Sequence, residues 1–245
     1  VGGSYEIRHL GTSIRNMTTQ IRHLMDDIVA EHESKRKNEF DVLQSQINPH
    51  FLYNTLDIIV WMIENEKQAD AVKVVTALAR FFRISLSRGK SIIPVRDELE
   101  HVRNYLMIQH MRFKNRFSYT IEAEDEVLEL ASLKLMLQPF VENSILHGLE
   151  GVNKGGFIRI TGEGYQEYLK IVIEDNGCGM TPEVEQIIKE VLENPLLAKQ
   201  KGLGIGISNV VTRMRMYYTE DLKIQLETEE RKGCKFTMIL PEARQ

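Results

Sequence analysis

Tyr168-Leu169-Lys170-Ile171-Val172-Ile173-Glu174-Asp175-Asn176-Gly177-Cys178-Gly179-Met180 decides how the second half of the chain is read. Tyr168 to Glu174 reads as a β-strand, and it runs into a carboxylate followed by two glycines. Glycine lets a backbone approach a ligand closely, and a carboxylate at a strand end can accept a hydrogen bond from an amino group, an adenine amine among them. The same hexapeptide also reads as an Asx turn closing the strand. The flanking segments separate the two readings.

Upstream, Phe117, Tyr119 and Ile121 alternate as in a half-buried strand, and a helix is predicted from Leu133 to His147. A strand at about Phe157 to Thr161 is joined to Tyr168–Glu174 through Gly162 and Gly164. Helices near Pro182 to Leu192 and Ile205 to Tyr218 precede strands at Lys223 to Glu227 and Lys235 to Leu240. Helices and antiparallel hairpins alternate here without a βαβ rhythm, which predicts a two-layer α/β sandwich over residues 115–245.

The first half is helical. Ile7, Leu10, Ile14, Met17, Ile21, Leu24 and Ile28 alternate at spacings of three and four, the narrow seam of a coiled coil; a helix lying on a core normally shows a wider apolar stripe. Glu31 to Lys37 interrupts the seam, and Phe40, Leu43, Ile47 and Phe51 resume it. Ala71, Val74, Val75, Leu78, Phe81 and Phe82 mark a second amphipathic helix from Asp70 to Leu86, so an antiparallel hairpin turning at Glu64 to Gln68 is expected. Ser87 to Lys90 breaks the pattern, and Pro94 followed by Asp97 and Glu98 opens a helix to about Phe113.

Composition narrows the functional classes. The 245 residues are 42% hydrophobic and 27% charged, the balance of a globular chain, and no run approaches the about 18 apolar residues that cross a bilayer. The first 115 residues carry 16 basic and 14 acidic side chains and the remainder 15 and 21, which gives no electrostatic case for a nucleic-acid partner. Two cysteines, Cys178 and Cys234, are too few for a disulfide scaffold and fit a reducing, intracellular compartment. The chain begins Val1-Gly2-Gly3-Ser4, and an upstream membrane sensor segment is expected to be missing from it.

Two further segments carry chemistry. Asn143 and His147 are four residues apart and share a helix face, while Leu133, Met136, Leu137, Phe140 and Val141 cover the opposite side. An amide oxygen suits Mg²⁺, and Glu142 is the neighbouring carboxylate. Lys201-Gly202-Leu203-Gly204-Ile205-Gly206 runs directly into a helix and leaves backbone N–H groups free for phosphate oxygens.

In order and spacing, Glu142-Asn143 to His147, Asp175 to Gly179 and Gly202 to Gly206 resemble the three nucleotide-binding boxes of the gyrase/Hsp90/histidine kinase/MutL ATPases. The resemblance implies an ATP-binding sandwich over roughly residues 115 to 242. Asp175 would receive adenine, Asn143 would hold Mg²⁺, and Gly202, Gly204 and Gly206 would line the phosphates. His147, Gly177, Gly179 and Lys201 complete the implied nucleotide-binding set, and Pro182 to Lys201 would be the lid.

Gln46-Ile47-Asn48-Pro49-His50-Phe51-Leu52-Tyr53-Asn54-Thr55-Leu56 resembles the phosphoacceptor box of LytS/YesM-like sensor histidine kinases, with Gln138 to Asn143, His147-Gly148 and Arg103 to Phe113 in support. That likeness covers residues 40 to 242. It implies a bacterial inner-membrane protein of which this is the cytoplasmic portion, a homodimer in which His50 accepts the γ-phosphoryl of ATP and passes it to an aspartate on a response regulator receiver domain. Residues 1–37 would be a HAMP-like signalling coiled coil, 38–114 the dimerisation and phosphotransfer helices, and 115–245 the ATP-binding domain.

Asn54, one turn after His50, would orient the ring or a phosphatase water, or else be a dimer-seam amide. Glu142 is a candidate general base or an outer partner of Mg²⁺; Phe51 stands where many histidine kinases carry an acidic residue. An ATP-hydrolysing switch without phosphohistidine is the alternative within the same superfamily, and a nucleotide-binding adaptor without turnover is a further one. His9, His23, His32, His101 and His110 show no metal-ligand spacing and are read as helix-surface residues, and Trp61 as hairpin core.

Overall fold

The computed structural model describes residues 49–86, 91–114, 116–150, 152, 155–165, 168–201, 205–218 and 222–241. The expected coiled coil, the HAMP-like segment, the seam positions Phe40, Leu43 and Ile47, and the break at Ser87 to Lys90 lie outside them. The chain divides into two compact units, Val1–Leu52 and Tyr53–Gln245, and the described part of the first is the opening turn of helix α1 (Pro49–Glu64).

Within the second unit, α1 ends at Glu64 and α2 (Gln68–Ser85) follows after the short polar turn expected from the sequence. α2 buries Ala71, Val74, Ala77, Phe81 and Ser85, a three-and-four spacing that meets α3 (Val95–Arg112). The stripe of α1 runs through Thr55 and Met62, one position away from Trp61, so the tryptophan is 41% exposed rather than core, with the Lys67 ammonium 4.9 Å from its ring centre.

A short strand β1 (Ile92–Pro94) leads into α3, and β2 (Phe117–Ala123) follows it. The main sheet has the order β2-β4-β5-β7-β6, with β4 Gly156–Tyr165, β5 Tyr168–Asp175, β6 Lys223–Glu229 and β7 Gly233–Pro241. Its pairs are antiparallel except β2 with β4, which are parallel in the register Phe117↔Gly156 to Ala123↔Gly162. That one crossover corrects the expectation of a region without βαβ rhythm: parallel neighbours need a long connection, and it contains the site helix.

Strand period sets the inner face. Ile158, Ile160, Leu169, Ile171, Ile173, Phe236, Met238 and Leu240 are buried, and the registers Ile160↔Ile173 and Ile173↔Phe236 bring them side by side. Each such side chain contributes about 1.5–3 kcal/mol of burial. Helices α4 (Gln138–Asn143), α5 (Pro182–Glu193) and α6 (Ile205–Tyr218) bury their own apolar residues in the same core, among them Phe140, whose ring meets Phe236 edge to face at 5.1 Å.

The predicted helix from Leu133 begins five residues late. Ala131–Leu133 form strand β3, paired antiparallel with β1, and Leu135 then takes a left-handed turn at φ 59°. The cause is tertiary. The buried Glu98 carboxylate on α3 accepts Leu135 N at 2.7 Å and Leu137 N at 2.9 Å, so those donors are spent before a helix can start, and Pro139 then suits its opening turn.

His101 is fully buried, not a surface residue. Phe81 stacks on its ring at 4.3 Å and the Ser85 hydroxyl lies 2.8 Å from Nε2. Burial, helped by the Lys134 charge, lowers its pKa to about 3, while burial raises Glu98 to about 7 against the backbone donors and Arg213 that oppose it. A depressed histidine stabilises the folded state above its unfolded pKa of about 6.5 and loses that contribution as pH falls. The stability difference between His101→Phe and the natural protein is therefore expected to shift in the variant's favour from pH 6.5 to pH 5, by up to about 1.4 kcal/mol per pH unit. Urea melts at both pH values check it, and a constant difference would mean that His101 is charged when folded.

Candidate nucleotide site

Residue period places Asp175 at the C-terminal end of β5 on the same inner face as Ile171 and Ile173, so a carboxylate stands where the pattern would put an aliphatic side chain. Three donors satisfy it: the Ser144 hydroxyl at 2.6 Å, Gly177 N at 3.0 Å and Cys234 N, from the paired strand, at 3.3 Å. Burial nevertheless outweighs these donors and raises its pKa.

Gly177 gives the turn its shape. A Cβ there would stand 2.0 Å from the Gly148 carbonyl oxygen, which accepts Cys178 N at 2.7 Å. At Gly179, φ is 66° and a Cβ would stand 2.0 Å from the Glu229 carbonyl oxygen. The two glycines thus press the turn against the 144–148 segment on one side and β6 on the other.

That segment is a single π-helical turn, Ser144–Gly148, continuing α4, with Leu149 N bonded to Ser144 O at 2.8 Å. Ser144 faces Asp175, while Asn143 and His147 reach the cavity beside it. The cavity, about 510 Å³, has apolar walls of Val184, Ile188 and Val191 from α5, Ile207 from α6 and Phe236 from β7. Asn143, His147, Asp175, Cys178 and Gly206 supply its polar or backbone surface. One wall suits a flat apolar ring, and the carboxylate offers it an acceptor.

The structure therefore brings Asn143, His147, Asp175, Gly179 and Gly206 to one cavity, with Gly177 buried behind Asp175. Gly202 and Gly204 lie outside the described residues. Lys201 does not line the cavity; its ammonium pairs with Glu190 at 3.0 Å. Glu142 also turns away from the cavity, toward Gln138 Nε2 at 2.8 Å and the Tyr105 hydroxyl, and burial raises its pKa. His50 is exposed on the first turn of α1, in the first unit, and Asn54 follows half-buried in the second.

Ser144, Cys234 and the apolar lining residues were not singled out in the sequence. Ser144 sits inside a quoted box and a hydroxyl beside the buried carboxylate was a readable signal; Cys234 enters through strand pairing, which one sequence does not display.

A family profile described as histidine kinase matches residues 38–117, and one described as histidine kinase-, DNA gyrase B- and HSP90-like ATPase matches residues 129–244. The chain belongs to the LytS/YesM-like histidine kinases. It is 33% identical to the sensor histidine kinase YesM of Bacillus subtilis over 92% of this chain and 37% of that protein. It is 32% identical to the sensor protein LytS of Oceanobacillus iheyensis over 94% of this chain and 39% of that protein. Bacillus subtilis YwpD is 32% identical over 80% of this chain and 69% of that protein. The chain thus spans less than two fifths of the length of YesM and of LytS. The histidine kinase ATPase fold accounts for the five-stranded sheet under α4, α5 and α6. Among the described residues no helix is long and apolar enough to cross a membrane.

In this kinase fold the Gly177 approach admits no side chain. Gly177→Ala is expected to cost roughly 3 kcal/mol of stability, because the backbone of the 177 turn or of the 144–148 segment must move. Chemical unfolding measures it, and a loss below 0.5 kcal/mol, on the order of a surface substitution, would show that the Gly148 carbonyl yields easily.

Proposed function

We propose that this chain is the catalytic core of a sensor histidine kinase of a two-component system, the cytoplasmic portion of a membrane receptor. It would phosphorylate itself on His50 from ATP and pass the phosphoryl group to an aspartate of a response regulator receiver domain, working as a homodimer. The observation that carries the reading is the buried Asp175 carboxylate at one end of an apolar cavity whose other surface carries Asn143, His147 and Gly206.

The cavity chemistry fits ATP. Asp175 accepts the adenine amino group, and its three protein donors hold both carboxylate oxygens in place for that contact. Val184, Ile188, Val191 and Ile207 exclude water around the ring. Gly206, at the start of α6, presents backbone to phosphate oxygens, and Gly202 and Gly204 are proposed to line the same phosphates. Gly177 and Gly179 shape the turn, His147 borders the phosphates, and Lys201 exchanges Glu190 for phosphate when nucleotide is bound.

The donor set also fits Mg²⁺. Among the described residues no group of three His, Cys, Asp or Glu side chains forms a metal cage, and Mg²⁺ keeps most of its waters and takes one or two protein ligands beside phosphate oxygens. Asn143 would be that ligand, and the ion held there would supply positive charge for phosphoryl transfer.

The His50 imidazole nitrogen forms the bond to the γ-phosphorus and the bond to the bridging oxygen breaks, ADP leaving with its electron pair. The ring is nucleophilic near neutral pH, and the phosphoramidate retains the potential for onward transfer. Asn54 orients the ring. Glu142, which here bonds Gln138 and Tyr105, would have to leave them to take up the released proton or order water around the metal.

His50→Gln is expected to abolish acid-labile, base-stable labelling from radiolabelled ATP while leaving nucleotide affinity within about twofold, since the acceptor and the cavity belong to different units. Labelling of the variant at the natural rate would assign another acceptor, and phosphate release without protein label would favour an ATP-hydrolysing switch. Asp175→Asn is expected to weaken ATP binding by about 1.5–3 kcal/mol, because an amide nitrogen would face either the backbone donors or the adenine amine. The ionised Asp175 is the stronger acceptor for the adenine amine, so affinity in the natural protein is expected to fall on acidification through its raised pKa, and that limb disappears in the variant. Fluorescent nucleotide titrations from pH 7.5 to 5 measure both.

A further inference from the structure

The helix that carries Asn143 is entered through an elbow. The chain is tied down as far as Lys134: Leu133 N donates to the Tyr218 hydroxyl at 3.0 Å, Lys134 N to Ser91 O at 2.9 Å, and Arg213 Nη2 to Lys134 O at 2.8 Å. Leu135 then turns the backbone at φ 59°, a left-handed conformation that a leucine keeps only where its surroundings hold it. Helix α4 begins at Gln138 and has no side-chain cap from its own leading residue, Leu137. What holds the elbow is Glu98, fully buried on α3, which accepts Leu135 N at 2.7 Å and Leu137 N at 2.9 Å.

We propose that Glu98 is a positioning residue for the nucleotide site: by clamping the Leu135 elbow it fixes the register and rotation of α4, and with them the direction in which Asn143 faces the cavity. The proposal rests on the reading of Asn143 as the Mg²⁺ ligand. It also explains why a left-handed leucine is kept at this point, since that strain is borne by bonds from another helix.

α4 and the π-helical turn after it form one continuous segment, 138–148. Its far end is held by the Ser144 hydroxyl on Asp175 at 2.6 Å and by the Gly148 carbonyl, which accepts Cys178 N at 2.7 Å. A short helix held at one end still tilts and twists about that end. Held at both, it does neither. The Asp175 anchor belongs to the sheet and the Glu98 anchor to α3, so the two fix α4 against different parts of the domain. In this dry setting Leu135 N and Leu137 N have no water to replace the carboxylate, and losing it leaves a buried donor unpaired.

Glu98→Gln keeps the shape and one accepting oxygen but turns an NH₂ group toward one of the two amides. At pH 8 the natural carboxyl, with its pKa of about 7, is mostly ionised. Under that condition the variant's affinity for ATP with Mg²⁺ is expected to fall roughly tenfold in fluorescent nucleotide titrations, because a misplaced ligand loses the ion. Affinity for ATP in chelator should change by less than about twofold, because the Asp175 end keeps its own bonds. Glu98→Asp keeps the charge and both accepting oxygens, drawn back by one methylene, and is expected to show the same selective loss; it serves where the glutamine leaves the domain unfolded. An unchanged ratio of the two affinities, whether both fall or neither does, would overturn the proposal.

Nucleotide-free spectra give a readout that needs neither metal nor phosphohistidine. The amide resonances of residues 140–143 are expected to shift in Glu98→Gln while those of β4 and β5 stay in place, and unchanged resonances at 140–143 overturn the positioning role even if the kinase reading holds. Asn143→Ala separates the two readings. If it leaves the Mg²⁺ dependence of ATP binding intact, Asn143 is not the ligand and the reading beneath the proposal fails; if it removes that dependence while both Glu98 variants retain it, the positioning role alone fails. A lowered melting temperature with unchanged ratio and resonances, or two variants that both unfold, would assign Glu98 to stability alone, against the proposal.

Discussion

A buried carboxylate must be satisfied by its own protein, and around Asp175 that requirement organises the nucleotide domain. The strand period of β5 carries the residue onto the apolar face, where an unpaired charge is costly. Its donors come from three places in the chain: Ser144 after α4, Gly177 in the following turn and Cys234 at the start of β7. Each donor ties one element to the cavity. Sheet register supplies Cys234, since Asp175 and Cys234 are paired residues. The close approach of Gly177 to Gly148 supplies the rest. The same bonds that make the carboxylate tolerable also leave it aimed at the cavity with an accepting lone pair to spare.

A second buried carboxylate, Glu98, does for the helical side what Asp175 does for the sheet. It spends its oxygens on Leu135 N and Leu137 N and so fixes where α4 starts. Arg213 from α6 donates to Lys134 O, and the Lys134 ammonium donates to Ser85 O at the end of α2. Hairpin end, α3, α4 and α6 are therefore joined by polar bonds in a dry setting, where breaking one partner leaves another unpaired. A shift at the end of α2 has a physical route to the helix that carries Asn143, through Lys134 and Glu98.

Much of this was legible in the sequence where local pattern and tertiary demand agree. Thr181 accepts Val184 N, Pro182 follows and Glu183 and Glu185 fill the first turn, so α5 starts where its capping signals predict. The strands near 157–161, 168–174, 223–227 and 235–240 each appear, longer than read, because antiparallel partners extend one another. The α/β sandwich was readable from the helix and hairpin pattern, the ATPase superfamily from the three boxes, and the kinase branch from the segment around His50. What was not readable depends on distant partners. Apolar Leu133, Met136 and Leu137 continue the helical spacing, yet pairing with β1 and the Glu98 carboxylate override it. His101 looks like a surface histidine until Phe81 and Ser85 close over it. The parallel pairing of β2 with β4 has no local signature at all.

The π-helical turn shows why the first box needs its spacing. An α-helical continuation from Asn143 would bond Gly148 N to Ser144 O, whereas here the Ser144 oxygen is taken by Leu149 N, one residue later. The wider turn leaves Gly148 free to pass beneath Asp175, where a Cβ would stand 3.0 Å from a carboxylate oxygen, and leaves its carbonyl free for Cys178 N. A Cβ at 148 would require the carboxylate to give by a few tenths of an ångström. The glycine after His147 is thus the first box's half of a contact whose other half is Gly177 in the second. The boxes hold their order and spacing because each supplies the space that the other's backbone occupies.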